Sequence, residues 1–170
     1  MDLIETVKKA GDALVGAASS EPDILAALKR DHDEVDEMLK SLVDSDDGEE
    51  RKDLVRRIKL ALVPHVKAEQ KVVYDAVLAL KDEEAKRDGE EGYIEHKLAT
   101  DTLSLLAKIG DANSAEFSAA AKVLKELIEH HVEEEERHIW SDVRDNFTPD
   151  QRAEMNRAFQ KAKKRVRIKA

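Results

Sequence analysis

Apolar residues recur at spacings of three and four along four long stretches of this chain, and each apolar series contains a histidine. The series are Ile24, Leu28, His32, Val35, Leu39 and Leu42; Leu54, Ile58, Ala61, Leu62, His65, Glu69, Val72 and Ala76; His96, Ala99, Leu103 and Leu106; and Ala120, Leu124, Leu127, His131, Glu135 and Ile139. This spacing is typical of the buried face of an α-helix. A buried imidazole or carboxylate is costly unless something satisfies it, so the polar members of these series need a partner.

Capping and stop signals divide the chain into helices. We expect helices over about 21–43, 49–80, 91–109 and 113–146, with a fifth from 148 toward 167. The predicted N-terminal signals are Ser20, the Asn113 and Glu116 pair, and Thr148 with Pro149 and Gln151. The charged stretch KDEEAKRDGEEG, residues 81–92, contains two glycines and is expected to be a linker. Pro64 is expected to kink the second helix.

These elements predict an all-α fold. The chain has 41% hydrophobic and 39% charged residues with three prolines and six glycines, a balance that favours helices over a β-sandwich. Four amphipathic helices with short links indicate an antiparallel up-down-up-down four-helix bundle over residues 20–147. An N-terminal helical extension is expected over residues 1–19, and a basic C-terminal helix over residues 148–170.

Charge and composition exclude several classes of protein. The formal net charge of -9 disfavours binding of nucleic acid by the whole molecule, so no nucleic-acid partner is expected, although a local basic patch would be compatible. The absence of cysteine excludes disulfides, thiolate metal sites and cysteine nucleophiles. No apolar run reaches the length of a membrane span, and the N-terminus has acidic residues where a signal peptide is basic. We therefore expect a cytoplasmic protein.

The chain contains an internal repeat. HVKAEQKVVYDAV from His65 aligns without gaps on HVEEEERHIWSDV from His131, which matches the histidine, the glutamate four residues later, and the aromatic at Tyr74 or Trp140. More weakly, DHDEVDEMLKSL from Asp31 aligns on EHKLATDTLSLL from Glu95. The pattern along the chain is therefore H, HxxxE, H, HxxxE, with halves about 65 residues apart.

This pattern predicts a buried metal site. Residues four apart lie on one helix face, so each HxxxE helix directs one imidazole and one carboxylate toward the same point. Four imidazoles and two carboxylates suit iron or manganese, with zinc also compatible. Two six-coordinate metals need about twelve ligand positions. Four histidines, two bridging glutamates and an oxo or hydroxo bridge leave about one position open on each metal, which indicates a reactive site.

The arrangement resembles the hemerythrin-like, or HHE cation-binding, domain family over about 24–147. The stretches EHHVEEEE and PHVKAEQKVVY carry the resemblance. It implies an antiparallel four-helix bundle around a non-haem di-iron centre, with two iron ions joined by an oxo or hydroxo bridge and manganese or zinc less expected. The implied ligands are His32, His65, Glu69, His96, His131 and Glu135, with both glutamates bridging.

One departure from the oxygen carriers of that family concerns the third helix. The carriers have two histidines one turn apart there, whereas this chain has Gly92 and Thr100 at the turns next to His96. We therefore expect binding or reduction of O2, peroxide or nitric oxide in stress defence or sensing, by a monomer or weak homodimer. Iron buffering or storage is an alternative, as is a metal-free helical interaction module.

Two further histidines are candidates for other roles. His130 is assigned to the exposed flank, because the positions four and seven residues before it are Glu126 and Val123 rather than apolar pairs. His138 could support the site, supply a fifth imidazole, or lie on the surface. Glu135 and His138 form an ExxH motif, but the ferritin-like architecture needs a second one and none occurs. The basic residues of the fifth helix are expected to pair with the acidic body of the protein rather than to contact nucleic acid or an anionic membrane.

Overall fold

The computed structural model describes residues 22–168, and within that range it consists of helices and turns without a β-strand. The elements are α1 (Ile24–Asp44), α2 (Gly48–Glu69), a π-helical turn (Gln70–Tyr74), α3 (Asp75–Leu78), α4 (Glu83–Leu106), α5 (Ala115–Arg137), α6 (Ile139–Asn146) and α7 (Pro149–Lys163). The predicted all-α class is confirmed. The helical extension expected over residues 1–19 lies outside the described residues. Among the described helices, none has an apolar segment long enough to cross a bilayer.

The helix N-termini follow the local capping chemistry closely. The Thr148 hydroxyl accepts from the Gln151 backbone N–H, and the Gln151 side chain accepts from the Thr148 N–H, so the predicted capping box of α7 is confirmed. Two predicted boundaries were displaced. α1 begins at Ile24 because Asp23 accepts from the backbone of its first turn, and α5 is capped by Ser114, one residue after the expected Asn113. In each case an oxygen-bearing side chain satisfies an N–H that the helix leaves unpaired.

The prediction of a linker over residues 81–92 was wrong, because α4 begins at Glu83. The Asp82 side chain accepts from the N–H groups of Glu84 and Ala85, which starts the helix there. The two glycines of this stretch lie inside α4 and are buried. With the longer helix, His96 lies 13 residues after Glu83, and His65 lies 13 residues before the end of α3 at Leu78. Both histidines therefore stand at similar distances from the turn that joins their helices.

Helical winding changes shortly after the glutamate of each HxxxE motif. After the first motif, His65 with Glu69, the π-helical turn follows directly; α2 itself continues through Pro64 to Glu69. After the second motif, His131 with Glu135, the helix is interrupted at His138, three residues after Glu135. A π-helical turn inserts extra backbone and rotates the following residues, and such turns are frequent at functional sites. As a result Val77 is buried rather than the predicted Ala76.

The helices pack as a bundle, and its interior contains two apolar clusters. α1 packs against α2 and α5, and α4 packs against α5 and α2. The first cluster is built by residues such as Leu39, Ile58, Leu103 and Leu124, and the second by Leu28, Val73, Trp140 and Phe159, among others. On each long helix, the histidine of the predicted site lies near the boundary between the two clusters. Val66, directly after His65, still belongs to the first cluster, and the chain after His131 reaches the second cluster at Ile139. A polar layer is thereby enclosed by apolar packing on two sides.

α7 covers the second cluster. It packs against α1 and α2, and it contributes Met155 and Phe159 to that cluster. Arg152 of α7 forms an ion pair with Asp23 at 2.7 Å, and Lys163 forms one with Asp31. These contacts fit the expected pairing of the basic C-terminal helix with the acidic body. The helix ends at Lys163, somewhat earlier than the predicted limit near 167.

Candidate metal centre

The six predicted ligands lie together in the polar layer, and none of them has more than 6% of its surface exposed. Their side chains form two groups in which one potential ligand atom per residue lies within 4.8 Å of the others. One group contains Glu69, His96, His131 and Glu135, and the other contains His32, His65 and Glu69. Glu69 therefore belongs to both groups.

Each glutamate lies between a histidine of its own helix and one from another helix. The Oε2 atom of Glu69 is 3.1 Å from Nε2 of His65 and 3.4 Å from Nε2 of His96. The Oε2 atom of Glu135 is 3.2 Å from Nε2 of His131 and 3.6 Å from Nε2 of His32. Each carboxylate thus faces imidazoles from two helices, and Glu69 alone belongs to both donor groups.

Two histidines are oriented by carboxylates outside the two groups. Nδ1 of His65 donates to Asp31 at 2.9 Å, and Nδ1 of His131 donates to Glu95 at 2.8 Å. This hydrogen bond leaves Nε2 of each ring free to bind a cation, and an acceptor on the remote nitrogen is the usual support of a metal-binding histidine. This orienting role of Asp31 and Glu95 was not predicted from the sequence. The signal was available, because both acids directly precede a site histidine and coincide in the repeat.

The other two histidines have different surroundings. Nδ1 of His32 lies 3.4 Å from Oε1 of Glu136, a half-buried carboxylate on α5. Nδ1 of His96 has no hydrogen-bond partner among residues 22–168, while its Nε2 lies 3.0 Å from Nε2 of His131. The two halves of the repeat are therefore inequivalent in the tertiary structure.

The aromatic residues matched by the repeat both contact the site. Nε1 of Trp140 donates to Oε1 of Glu135 at 3.0 Å, and the indole stacks on His32 with ring centroids 5.9 Å apart. The Tyr74 ring lies 5.2 Å from the ring of His96. The repeat had revealed this pair of aromatics without showing what they contact. The changes in helical winding after Glu69 and Glu135 precede both of them.

The electrostatics favour protonated rings at His65 and His131, and an ionised Glu69 carboxylate, in the metal-free protein. Burial opposes a charge on His65, but the Glu69 carboxylate and the hydrogen bond to Asp31 outweigh it and raise the pKa of His65 to about 10. Burial similarly opposes charge on His131, yet the Glu135 and Glu95 carboxylates raise its pKa to about 9. Burial lowers the pKa of His96. The pKa of Glu69 is well below its usual value, because the charge of His65 outweighs the effect of burial.

Several buried polar atoms of the centre lack a hydrogen-bond partner in the described part of the chain. They are both carboxylate oxygens of Glu69, Oε2 of Glu135, Nε2 of His32, Nδ1 of His96 and the hydroxyl of Tyr74. Oε2 of Glu69 and Oε2 of Glu135 do lie within ion-pair distance of histidine nitrogens, at 3.1 and 3.2 Å. A buried polar group that is left unpaired costs about 1–3 kcal/mol, and more if it is charged. Most of these buried atoms belong to the six predicted ligands, and imidazole nitrogens with carboxylate oxygens suit iron, manganese or zinc. The donor set therefore fits a metal centre.

The remaining candidate histidines lie outside both groups. The side chain of His130 is 61% exposed and lies 3.3 Å from Glu95. The side chain of His138 is 45% exposed and lies 3.3 Å from Glu134. Neither ring belongs to the buried donor set.

Comparisons with known proteins agree with a cation-binding site. Residues 23–142 match the family described as the hemerythrin HHE cation binding domain. A DNA nickase from Nostoc sp. strain PCC 7120 is 24% identical over 151 residues, which cover 89% of this chain and 42% of that relative. The chain thus spans less than half the length of the nickase. No solved structure matches the chain significantly.

Proposed function

The chain belongs to the family of hemerythrin HHE cation-binding domains, and from that premise we propose that it is a non-haem di-iron protein. It binds or reduces O2, peroxide or nitric oxide in stress defence or sensing. The observation that carries this proposal is the pair of buried donor groups that share Glu69. The cofactor is two iron ions with an oxo or hydroxo bridge, and manganese or zinc is less favoured. When bound, the irons supply one-electron redox chemistry and coordination positions for a small ligand.

The proposed ligands are His32, His65, Glu69, His96, His131 and Glu135. Asp31 and Glu95 orient two of the imidazoles, so that Nε2 of each ring faces the interior. The N–H of Trp140 holds one oxygen of Glu135 and leaves the other oxygen directed toward the histidines. The two apolar clusters restrict bulk water, which strengthens electrostatic interactions within the layer.

The fold proposed around this centre is the antiparallel up-down-up-down bundle formed by α1, α2, α4 and α5. The pairwise packing of these four helices supports it. We divide the chain into an N-terminal extension over residues 1–19, the bundle over residues 20–147 and the C-terminal helix over residues 148–170. A cytoplasmic location and a monomer or weak homodimer complete the proposal.

The test is metal content per chain together with the absorption spectrum, on protein produced with iron. We expect about two irons per chain and charge-transfer bands in the near ultraviolet, since the donor set forms two groups that suit iron. The variants His131→Ala and Glu135→Ala should lose both. His130→Ala is the matched control, because it removes the adjacent, exposed imidazole. A single metal, or colourless protein with zinc, would contradict the redox function, and protein without metal would leave the interaction module as the remaining alternative.

Iron buffering uses the same ligands and needs a separate measurement. A redox protein should retain its iron against a competing chelator while it consumes peroxide. A buffer should release iron readily and turn over peroxide poorly. The rate of iron transfer to a chelator, measured beside peroxide consumption, separates the two functions.

A second candidate function is metal-dependent hydrolysis of a phosphodiester. A groove of about 740 Å³ runs beside His96 and is lined by Lys59, Lys67, Lys97, Lys108 and Arg167, among others. These cations could hold nucleic-acid phosphates next to the metal centre, despite the acidic charge of the whole chain. The similarity to a DNA nickase favours the same candidate. Because the chain covers only 42% of that relative, the nicking activity of the relative is a hypothesis for this protein.

The nuclease candidate is tested by incubating supercoiled plasmid with the protein and Mn²⁺ or Fe²⁺. Open-circular product is expected if the function is correct. It should decrease in a Lys67→Gln, Lys108→Gln double variant and persist in a Lys40→Gln, Lys122→Gln control, which removes two exposed cations elsewhere. Plasmid that stays supercoiled, or nicking that survives in His131→Ala, would exclude this function.

A further inference from the structure

One side of the metal centre opens to solvent through an acidic pocket. The pocket has a volume of about 220 Å³ and extends between α4 and the end of α5. Its carboxylates are Glu84, Asp88, Glu91, Glu95, Glu134 and Glu135, whereas its basic residues are Arg87 and His138. Its wall also includes Tyr74 and Gly92. Anionic groups therefore predominate along this opening.

Four of these carboxylates form a row along one face of α4, which we call the acidic row: Glu84, Asp88, Glu91 and Glu95. Their spacings of four, three and four place them on the same helix face, one turn apart. At about 1.5 Å per residue, the row extends over about 16 Å and ends next to His96. Three of these carboxylates lie within residues 81–92, which were expected to be a linker. Their alignment on one face was therefore not predicted, because it requires this stretch to be helical.

The two ends of the acidic row differ in exposure. The side chain of Glu84 is 75% exposed and that of Glu95 is 13% exposed, while between them Asp88 is 19% exposed and Glu91 is exposed. The pocket then reaches Glu135, whose side chain is 1% exposed. A cation moving inward would exchange water for carboxylate oxygens in steps, rather than losing its hydration at once.

The inner end of the pocket is formed by Tyr74 and Glu135. The Tyr74 hydroxyl is buried and has no hydrogen-bond partner among residues 22–168, and the buried Glu135 carboxylate adds negative charge beside His131. The outer end carries concentrated negative charge. Burial and the nearby charges of Asp88 and Asp82 raise the pKa of Asp142 on the adjoining helix. Both ends of the pocket thus favour a positively charged occupant.

We propose that the acidic row is the route by which hydrated divalent cations reach the buried centre. The inference rests on the proposed function, since it presupposes that the centre holds metal. A negatively lined cleft raises the local concentration of cations and accelerates their association by about 10- to 1,000-fold at low ionic strength. Glu95 ends the route and also orients His131, so it belongs to both the route and the centre.

The test measures how fast metal-free protein takes up Co²⁺, or Fe²⁺ without oxygen, in a stopped-flow instrument. Trp140 is the only tryptophan of the chain and contacts both Glu135 and His32, so quenching of its fluorescence reports arrival of the metal. The variant is Glu84→Gln, Asp88→Asn, Glu91→Gln, which leaves every proposed ligand and both orienting carboxylates in place. The control, Glu37→Gln, Glu116→Gln, Glu126→Gln, makes the same change in net charge at exposed positions elsewhere.

We expect the row variant to load metal about ten-fold more slowly at low salt, with an unchanged final metal content. The difference should diminish as salt is added, and the control should load at the wild-type rate. Equal loading by the row variant, or equal slowing by the control, would overturn the route. If the row variant folds poorly, the exposed single change Glu91→Lys gives the same comparison. Wild-type protein that binds no metal would instead refute the proposed function itself.

Discussion

The contact between Gly92 and Tyr74 supports a quantitative prediction about packing. A Cβ atom added at Gly92 would lie 2.7 Å from both Cζ and the hydroxyl oxygen of Tyr74. Carbon atoms in favourable contact are about 3.5–4.0 Å apart, so the tyrosine ring would have to move by roughly 1 Å. That ring is fully buried, and it packs against Tyr93 and His96 at centroid distances of 5.7 and 5.2 Å. We therefore expect Gly92→Ala to be destabilising.

Gly89→Ala is the matched control, because Gly89 lies one turn earlier in the same helix. Its added Cβ would meet the tip of Leu78 at 3.0 Å, and a flexible leucine tip can shift. Both changes gain about 1 kcal/mol of helix propensity, so the difference between them isolates the contact with Tyr74. Overpacking typically costs about 1–3 kcal/mol. In a chain of this size, each kcal/mol lowers the melting temperature by about 2–4 °C.

The assay is thermal and urea unfolding of wild type, Gly89→Ala and Gly92→Ala, prepared with the same metal content. The Gly92 variant should unfold first, by about 1–3 kcal/mol relative to the Gly89 variant. In a Tyr74→Leu background, which removes the three atoms nearest to the added Cβ, the penalty should disappear. Equal stability of the two alanine variants, or a penalty that persists without Tyr74, would refute this account of the glycine.

Three further predictions concern the metal centre. Removing metal with a chelator should lower the melting temperature, because Oε1 of Glu69 is then buried without a hydrogen-bond partner among residues 22–168 and the stabilisation by binding is lost. Free metal at about 100 times its dissociation constant stabilises by about 2.7 kcal/mol. An unchanged melting curve would contradict this. The pKa values of about 10 for His65 and about 9 for His131 lie above the ordinary value of 6.5, so their contribution to the stability of the metal-free protein is complete below pH 6.5 and is lost as pH rises through 9 to 10. Metal uptake at neutral pH should accordingly release protons, which an indicator dye in weak buffer detects, and uptake without proton release would be inconsistent with protonated rings. Asp31→Asn and Glu95→Gln should each weaken metal affinity by about 10- to 100-fold in a chelator competition, whereas Asp33→Asn, an exposed neighbour, should not. Affinity that is unaffected by either change would show that these carboxylates do not support the centre.

Much of the fold was predictable because its signals are local. A stripe at spacings of three and four identifies a helix and the face that it buries. A capping box such as Thr148 with Gln151 marks a helix start from four consecutive residues. The HxxxE motif likewise needs only one turn of helix to place His131 and Glu135 together. The predicted ligand set stays a prediction, but its six members do lie in one buried layer.

The mispredicted features depend on residues that are distant in sequence. The glycines of residues 81–92 suggested a break, yet Gly92 is buried in a helix beneath Tyr74, eighteen positions earlier. A glycine can mark either a turn or a position where another residue packs closely against the backbone. The local sequence does not distinguish these two cases. The π-helical turn after Glu69 similarly shifted burial from Ala76 to Val77 without a clear signal in the residues themselves.

The sequence by itself determined that the chain forms amphipathic helices with histidine and glutamate on their buried faces, because backbone geometry sets which residues share a face. Only the tertiary structure decided which of these side chains meet across helices. It placed Asp31 against His65, Trp140 against Glu135, and the acidic row beside an opening to the buried layer. The physical reason is that a helix fixes the direction of its own side chains, whereas contacts between helices depend on how the whole bundle packs.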